Sequence, residues 1–182
     1  MFTTIVIIAV IAVLVLWVIS VQNKLVKLDE LSNNALKQIN VQQVSRFDAL
    51  KALAKLTKDY AAYESEQIEK MFAARNMSSS ARPTVAEING NEAALAGIAS
   101  RLIAVAEQYP ELKASDNYAK TMSSVKEYEE NVRLSRMTFN DTVTKFNQQV
   151  RMFPGSLVAG PLGFAPKEYL AEDKSKTEYP EL

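Results

Sequence analysis

The hydrophobic pattern is strongest at the start of the chain, where residues 2–21 carry no charged side chain. As a helix, such a run spans roughly 30 Å, which is the thickness of the hydrocarbon core of a bilayer. Trp17 lies near its end, where an amphipathic ring suits the membrane interface. The pattern therefore predicts a transmembrane anchor at residues 1–22 that contacts the lipid bilayer through residues 2–21. A cleaved signal peptide is the alternative, although such peptides usually carry Lys or Arg before their apolar run, and none occurs here.

Basic residues flank this apolar run on one side only. None precedes it, whereas Lys24, Lys27 and Lys37 follow it. The positive-inside rule then predicts a single-pass protein of the cell membrane, with its N-terminus outside and residues 22–182 in the cytoplasm.

Beyond the apolar run, hydrophobic residues recur at intervals of three and four, which is typical of helices. Two such series lie in a region without Gly or Pro: Leu25, Leu28, Leu31, Ala35 and Ile39, then Leu50, Leu53, Leu56, Tyr60 and Tyr63. They predict one long first helix, and no helix-breaking residue indicates where it would break. Residues 77–91 contain several Ser, Asn and Pro and predict a loop to the next helix.

Two further helices follow this loop. The second is predicted from about residue 92 to residue 108, and Asn89 or Asn91 is its expected N-cap. Pro110 should stop it, and the third helix should begin after Ser115, a good N-cap. The fold class is therefore all-α. An N-terminal transmembrane helix precedes an antiparallel bundle of long helices, three of them, or four if the first is broken.

The third helix carries a heptad seam, in which steps of four and three alternate. Most of its positions are apolar or aromatic: Tyr118, Met122, Val125, Glu129, Val132, Arg136, Phe139, Val143, Phe146, Val150 and Phe153. The two charged members, Glu129 and Arg136, lie seven residues apart on this face. Asn140 and Asn147 repeat at the same interval, and we expect them to make interhelical or helix-end hydrogen bonds.

A charge on a buried seam needs a partner of opposite sign. The first helix offers Arg46 and Asp48 within its apolar pattern. We predict two cross-helix pairs, Arg46 with Glu129 and Asp48 with Arg136. These four residues would form a structural polar clasp or lie on a solvated rim, because ion pairs that perturb titration are often structural. A binding or catalytic site is the alternative.

An apolar segment rich in Gly and Pro follows the third helix at residues 154–169. Pro154 should end the helix, and Leu157, Leu162 and Phe164 should close the open end of the bundle as a cap. Interfacial contact with the membrane is the alternative. It is disfavoured because a backbone without regular hydrogen bonds suits lipid poorly.

These elements divide the chain into three predicted parts. Residues 1–22 form the anchor, residues 23–170 the helical bundle with its cap, and the polar residues 171–182 a disordered tail.

Composition removes several classes of function. The chain has no His and no Cys, which excludes histidine bases, thiol nucleophiles and zinc–thiolate sites. Lys and Arg number 21 and Asp and Glu also number 21, so no basic field attracts nucleic acid. The sequence contains no nucleophile elbow, phosphate-binding loop or glycine-rich cofactor fingerprint. We therefore expect no catalytic, cofactor-binding or metal-binding residues, no cofactor and no enzyme activity.

Three stretches resemble the LemA family. They are LVKLDELSNNALKQINVQQVSRFDALKALAKLTKDYAAYE, then LIAVAEQYPELKASDNY, then RMTFNDTVTKFNQQVRMFPGSLVAGPLGFAPKEYL. The family usually has Pro at the position of Lys51, so the resemblance implies a straighter first helix here. It also implies a bacterial single-span membrane protein whose helical bundle lies in the cytoplasm. The activity of the family is unassigned, so the resemblance supplies no catalytic residue.

The sequence favours a membrane-anchored, non-enzymatic scaffold that binds envelope-associated proteins. The anchor, the long seam and the lack of catalytic motifs are the reasons. Two alternatives stay open: a self-associating coiled coil that organises the membrane through the seam of the third helix, and an enzyme without a recognisable motif.

Overall fold

The structure, a computed structural model, describes residues 1–58, 60, 62–73 and 82–171. The regular elements within these ranges are all helices: α1 (Phe2–Thr57), α2 (Ala62–Ala73), α3 (Val85–Gln108), α4 (Pro110–Lys113), α5 (Asp116–Arg151) and α6 (Ser156–Ala159). The predicted all-α class is therefore confirmed.

The contacts of the chain divide it into two compact units. The first unit contains Met1–Asn34 and Thr138–Tyr169, and the second contains the described residues of Ala35–Met137 together with Leu170 and Ala171. Helices α1 and α5 each contribute residues to both units. The predicted tail at 171–182 lies outside the described residues, apart from Ala171.

Helix α1 begins with the apolar run. Its side chains at residues 2–20 are exposed, except for the half-buried Trp17. Within the part of the chain that the structure describes, α1 is the one helix that is long and apolar enough to cross a membrane. A helix suits lipid because all its backbone hydrogen bonds are internal.

In the second unit, the first helix is broken after Thr57. Thr57 Oγ1 donates to the carbonyl of Ala54 at 2.7 Å, and the backbone N–H of Tyr60 donates to the carbonyl of Thr57 at 3.1 Å. Helix α2 then runs back along α1, and the rings of Phe47 and Phe72 meet edge to face at 5.2 Å. Of the two predicted bundles, the four-helix arrangement is the one observed, built from α1, α2, α3 and α5.

The core of the second unit is apolar and draws on every one of its helices. Its fully buried members include Leu50 and Leu53 from α1, Ile68 from α2, and Leu95, Ile98 and Leu102 from α3. Burying a side chain of this size stabilises the fold by about 1.5–3 kcal/mol. The apolar series predicted for α1 is only partly correct, because Leu31 and Tyr60 are exposed.

Helix α3 begins seven residues earlier than predicted. Its N-cap is Thr84, whose Oγ1 accepts from the backbone N–H of Glu87 at 3.2 Å. The Glu87 carboxylate in turn accepts from the backbone N–H of Thr84 at 2.7 Å, which completes a capping box. Asn89 and Asn91 therefore lie within the helix, and the predicted N-cap there is wrong.

Helix α5 agrees with its predicted start and with most of its seam. Ser115 Oγ accepts from the backbone N–H of Tyr118 at 3.3 Å, as expected of an N-cap. Seven seam members are buried: Tyr118, Val125, Val132, Phe139, Val143, Phe146 and Val150. The seam ends with the helix at Arg151, and Phe153 is 80% exposed.

In the first unit, the segment after α5 folds onto the end of the apolar run. Val158 and Ala159 pack in a cluster with Val21, Leu25, Phe146 and Val150, and Phe164 packs against it. Leu157 and Leu162 are exposed, so the prediction that they close the core is wrong. Pro154 is also exposed and lies just beyond the end of α5.

Two glycines allow this segment to turn tightly. A Cβ at Gly155 would lie 2.3 Å from the carbonyl oxygen of Gln149, which is too close for any side chain. Gly163 has a φ of 79°, in the left-handed region that glycine adopts without strain.

Candidate functional site

A buried cation lies at the centre of a polar cluster in the second unit. Arg46 on α1 is only 3% exposed. Its Nη1 donates to Glu92 on α3 at 2.7 Å, and its Nη2 donates to Glu129 on α5 at 3.3 Å. One guanidinium therefore joins three helices, and the predicted contact between Arg46 and Glu129 is present. Glu92 was not anticipated as its other partner.

Gln43 extends this cluster by one turn of α1. It is fully buried, and its amide donates to the carbonyl of Ile88 at 3.0 Å and to Glu92 at 3.1 Å. The Glu92 carboxylate thus accepts from both Gln43 and Arg46. Charge-assisted hydrogen bonds of this kind are about twice as strong as neutral ones.

The other predicted pair does not form. Arg136 donates instead to Asn89 at 3.4 Å and to the backbone carbonyl of Ala171. Asp48 is exposed and borders an open groove, of about 430 Å³, together with Lys120 and Tyr128. The four residues of the predicted clasp are therefore split, with Arg46 and Glu129 in the buried cluster and Asp48 and Arg136 outside it.

A second polar cluster lies in the first unit and centres on Lys167. Its ammonium forms an ion pair with Asp29 at 2.7 Å and donates to Ser32 at 2.6 Å and to Asn33 at 2.9 Å. It also lies 5.4 Å from the centre of the Phe146 ring, a distance that suits a cation–π contact. These contacts fasten the segment after α6 to α1, directly beyond the apolar run.

Asn147 on α5 holds the same residue by its backbone. Its amide nitrogen donates to the carbonyl of Lys167 at 2.9 Å, and its amide oxygen accepts from the N–H of Lys167 at 2.8 Å. Asn147 was expected to make a hydrogen bond near the helix end. The roles of Lys167, Asp29 and Ser32 were missed, because no local pattern relates residues so far apart in the chain.

The polar residues next to this cluster add one further contact. Thr144 Oγ1 donates to the hydroxyl of Tyr169 at 3.4 Å. This hydrogen bond, and one with Asn147, lower the pKa of Tyr169.

The second unit also contains a cavity beside the contact between Phe47 and Phe72. It has a volume of about 460 Å³ and is bordered by Phe47, Phe72 and the side chains of Lys51 and Lys55. Within residues 1–58, 60, 62–73 and 82–171, no three acidic side chains are placed to hold a metal ion.

Comparison with known proteins now assigns the chain to a family. The sequence profile of the LemA family matches residues 35–182, which is most of the chain. The chain belongs to the LemA family. Both polar clusters draw on matched residues, although Asp29, Ser32 and Asn33 precede the matched range.

Part of this LemA protein is also similar in sequence to three magnetosome proteins. MamQ 1 and MamQ 2 of Paramagnetospirillum magneticum (strain ATCC 700264 / AMB-1) are each 33% identical to it over 72 residues. MamQ of Magnetospirillum gryphiswaldense (strain DSM 6361 / JCM 21280 / NBRC 15271 / MSR-1) is 32% identical over 72 residues. The matched stretch covers 40% of this chain and 26% of each relative. With its exposed apolar helix, this LemA protein is a membrane-associated helical protein.

Proposed function

We propose that this LemA protein is a single-pass, membrane-anchored scaffold that binds envelope-associated proteins and catalyses no reaction. The observation that carries the proposal is the continuity of α1. One helix of 56 residues begins as the apolar run and continues, without Gly or Pro, into the core of the second unit. A protein built in this way holds a helical domain at a membrane.

The charges inside the fold support a structural role. Arg46 is neutralised by Glu92 and Glu129, and Lys167 by Asp29. Paired charges of this kind hold elements together, whereas a general acid or base needs a proton that can be exchanged with a substrate. The absence of His and Cys from the sequence points in the same direction.

Partner proteins would contact the exposed surface of the second unit. Ile103 on α3 and Met137 on α5 are large apolar side chains with 42% and 53% exposure. Apolar residues at the centre of a contact contribute more to binding than the charged residues around them.

In-cell photocrosslinking tests this proposal. A photoreactive residue is placed at Ile103 or Met137 of the full-length chain, and the captured proteins are identified. A matched control carries it at Glu107, an exposed polar position of α3. We expect a reproducible set of proteins from Ile103 or Met137. The scaffold proposal fails if a chain reduced to residues 1–22, with the photoreactive residue at Gln22 just after the apolar run, captures the same set.

The orientation proposed for this scaffold places the second unit in the cytoplasm. It is supported by Lys24, Lys27 and Lys37, which follow the apolar run. Because the chain has no Cys, Lys37→Cys introduces one reactive thiol at an exposed position. A membrane-impermeant maleimide should label it only after the membrane is opened, and labelling of intact cells would reverse the proposed orientation.

The alternative of a self-associating coiled coil has less support. It requires the seam of α5 to face another chain, but Val125 and Val132 are buried within one polypeptide. Sedimentation of the full-length protein in detergent should therefore give a monomer.

A further inference from the structure

An exposed apolar segment follows α5. Met152, Phe153, Leu157 and Leu162 all have exposed side chains. No charged residue occurs from Met152 to Pro166. Soluble surfaces usually scatter large apolar residues singly among polar ones, and a contiguous apolar patch indicates a contact site.

The position of this segment identifies the kind of surface that it contacts. Its own Val158 and Ala159 are buried in the cluster that contains Val21 and Leu25, with Trp17 packed against that cluster. These are the last residues of the apolar run and the first residues beyond it. Within the first unit, the segment therefore lies beside the point at which the span leaves the hydrocarbon.

The backbone of the segment is also suited to an apolar environment. Consecutive turns bond to one another: Ser156 N–H donates to the Met152 carbonyl at 3.0 Å, and Val158 N–H to the Gly155 carbonyl at 3.0 Å. Phe164 N–H donates to the Ala159 carbonyl at 3.0 Å. Unpaired backbone groups are unfavourable in lipid, but these N–H groups already have carbonyl partners within the segment.

Cations border the segment and the end of the span. Arg151 precedes the segment, and Lys24 and Lys27 follow the span, all with exposed side chains. Long basic side chains reach lipid phosphates while their stems lie along apolar surface. An apolar patch with such a border matches the headgroup region of a bilayer.

We propose that residues 152–164 are a second membrane contact, which inserts Phe153, Leu157 and their apolar neighbours into the phospholipid surface beside the span. The contact is interfacial, since α6 has only four residues and cannot cross a bilayer. This inference rests on the proposed function in one respect, that α1 spans the membrane.

Fluorescence quenching by brominated lipids tests the contact. Trp17 is the one tryptophan of the chain, so Trp17→Phe creates a background for new probes. Full-length Phe153→Trp and Leu157→Trp variants in this background are reconstituted in phosphatidylcholine and phosphatidylglycerol vesicles. Some of the lipid is brominated near the top of the acyl chain. Met137→Trp is the matched control, because it is exposed and apolar but lies roughly 21 Å before Arg151 along α5.

The expected result is a clear difference between the probes. Trp at residue 153 or 157 should lose roughly half its emission, since an interfacial side chain lies roughly 5–10 Å into the boundary of headgroups and acyl chains. Trp at residue 137 should keep its emission. The two probe positions are independent, so that one poorly folded variant leaves the other to decide.

Two results would overturn the inference. Unquenched probes at 153 and 157, in vesicles where Trp17 of the unmodified chain is quenched, would show that α1 enters the bilayer and the segment does not. Blue-shifted but unquenched probes would show that protein, including a second copy of this chain, covers the segment. An unquenched Trp17 would instead contradict the proposed anchor.

Discussion

Both units of the molecule contain a cation that pairs with carboxylate groups, but the two cations lie in different surroundings. Arg46 is buried among three helices and bonds to Glu92 and Glu129. Lys167 is partly exposed and joins the segment after α6 to α1, through Asp29 and its neighbours. The first contact joins three helices, and the second fastens a short segment to α1 beyond the apolar run.

The difference shows how burial changes the energetic role of an ion pair. Removing one member of a buried pair costs up to about 3–5 kcal/mol, and less where water still reaches the member that remains. A partly exposed pair gains and loses much less, because water replaces the missing partner. We therefore expect Arg46 to matter for the folding of the second unit, and Lys167 to matter for the position of one segment.

The largest expected effect comes from Arg46→Met. It removes the guanidinium that joins three helices. Because Glu92 and Glu129 are 23% and 40% exposed, water solvates them in part, and the free energy of unfolding should fall by about 3 kcal/mol. Urea unfolding of the full-length protein in detergent, followed by circular dichroism, measures this. Arg133→Ala is the control, since Arg133 pairs with Glu130 on an exposed face of α5. Equal stability of the two variants would remove the contrast between buried and exposed pairs.

Asn147→Ala should have the next largest effect. It leaves the N–H and the carbonyl of Lys167 without their partner, which costs about 1–3 kcal/mol in a buried setting. Local hydrogen exchange at residues 164–169 should rise with it. Gln148→Ala changes an exposed neighbour on the same helix and should leave exchange unaltered. Unchanged exchange in Asn147→Ala would mean that the apolar contacts alone hold the segment.

Lys167→Met should have a smaller effect and tests the ammonium contacts of Lys167 separately from its backbone hydrogen bonds. The methionine retains an apolar stem but loses the bonds to Asp29, Ser32 and Asn33. All of these lie at a partly exposed site where water can replace them, so stability should fall by about 1 kcal/mol. Ser32 remains satisfied, because its hydroxyl also donates to the Asp29 carbonyl at 2.7 Å. A loss as large as that of Arg46→Met, in the same urea experiment, would contradict the assignment of Lys167 to a partly solvated contact.

The smallest effect concerns a buried group that is neutral. Burial raises the pKa of Tyr118 in the second unit above its usual value, about 10, and the nearby Glu107 adds to the rise. The neutral form is thus favoured in the folded state. The stability that depends on a neutral Tyr118 is fully present below the pKa that Tyr118 has in the unfolded chain. It is lost as pH rises through the higher pKa that Tyr118 has in the folded protein. Tyr118→Phe should weaken the alkaline loss of stability, and an identical pH profile for both proteins would oppose this assignment.

The seam of α5 could be predicted from sequence, whereas the buried face of α1 could not be predicted from its apolar residues alone. Seven buried positions of α1 from Leu36 onward alternate steps of three and four: Leu36, Ile39, Gln43, Arg46, Leu50, Leu53 and Thr57. Asn40, Phe47 and Ala54 are buried beside them. A search restricted to apolar residues does not include Gln43 and Thr57, because they are polar. The same heptad spacing, applied with polar residues allowed, is the signal that would have found them.

The break after Thr57 had no comparable signal, because neither Gly nor Pro lies near it. The turn is accompanied by a contact between Phe72 on α2 and Phe47 on α1. A local sequence pattern does not predict a contact between two different helices. The start of α3 did have a local signal, since Thr84 and Glu87 have the spacing of a capping box.

Sequence alone determined the apolar span, the helical class, the start of α5 and most of its buried face. Each depends on a period or a cap within a few consecutive residues, where the chemistry is local. Tertiary structure decided which carboxylates neutralise Arg46, which residue holds Lys167, and which side of the segment after α5 is buried. These depend on groups that folding brings together from distant parts of the chain, and their energies exist only once that packing has formed.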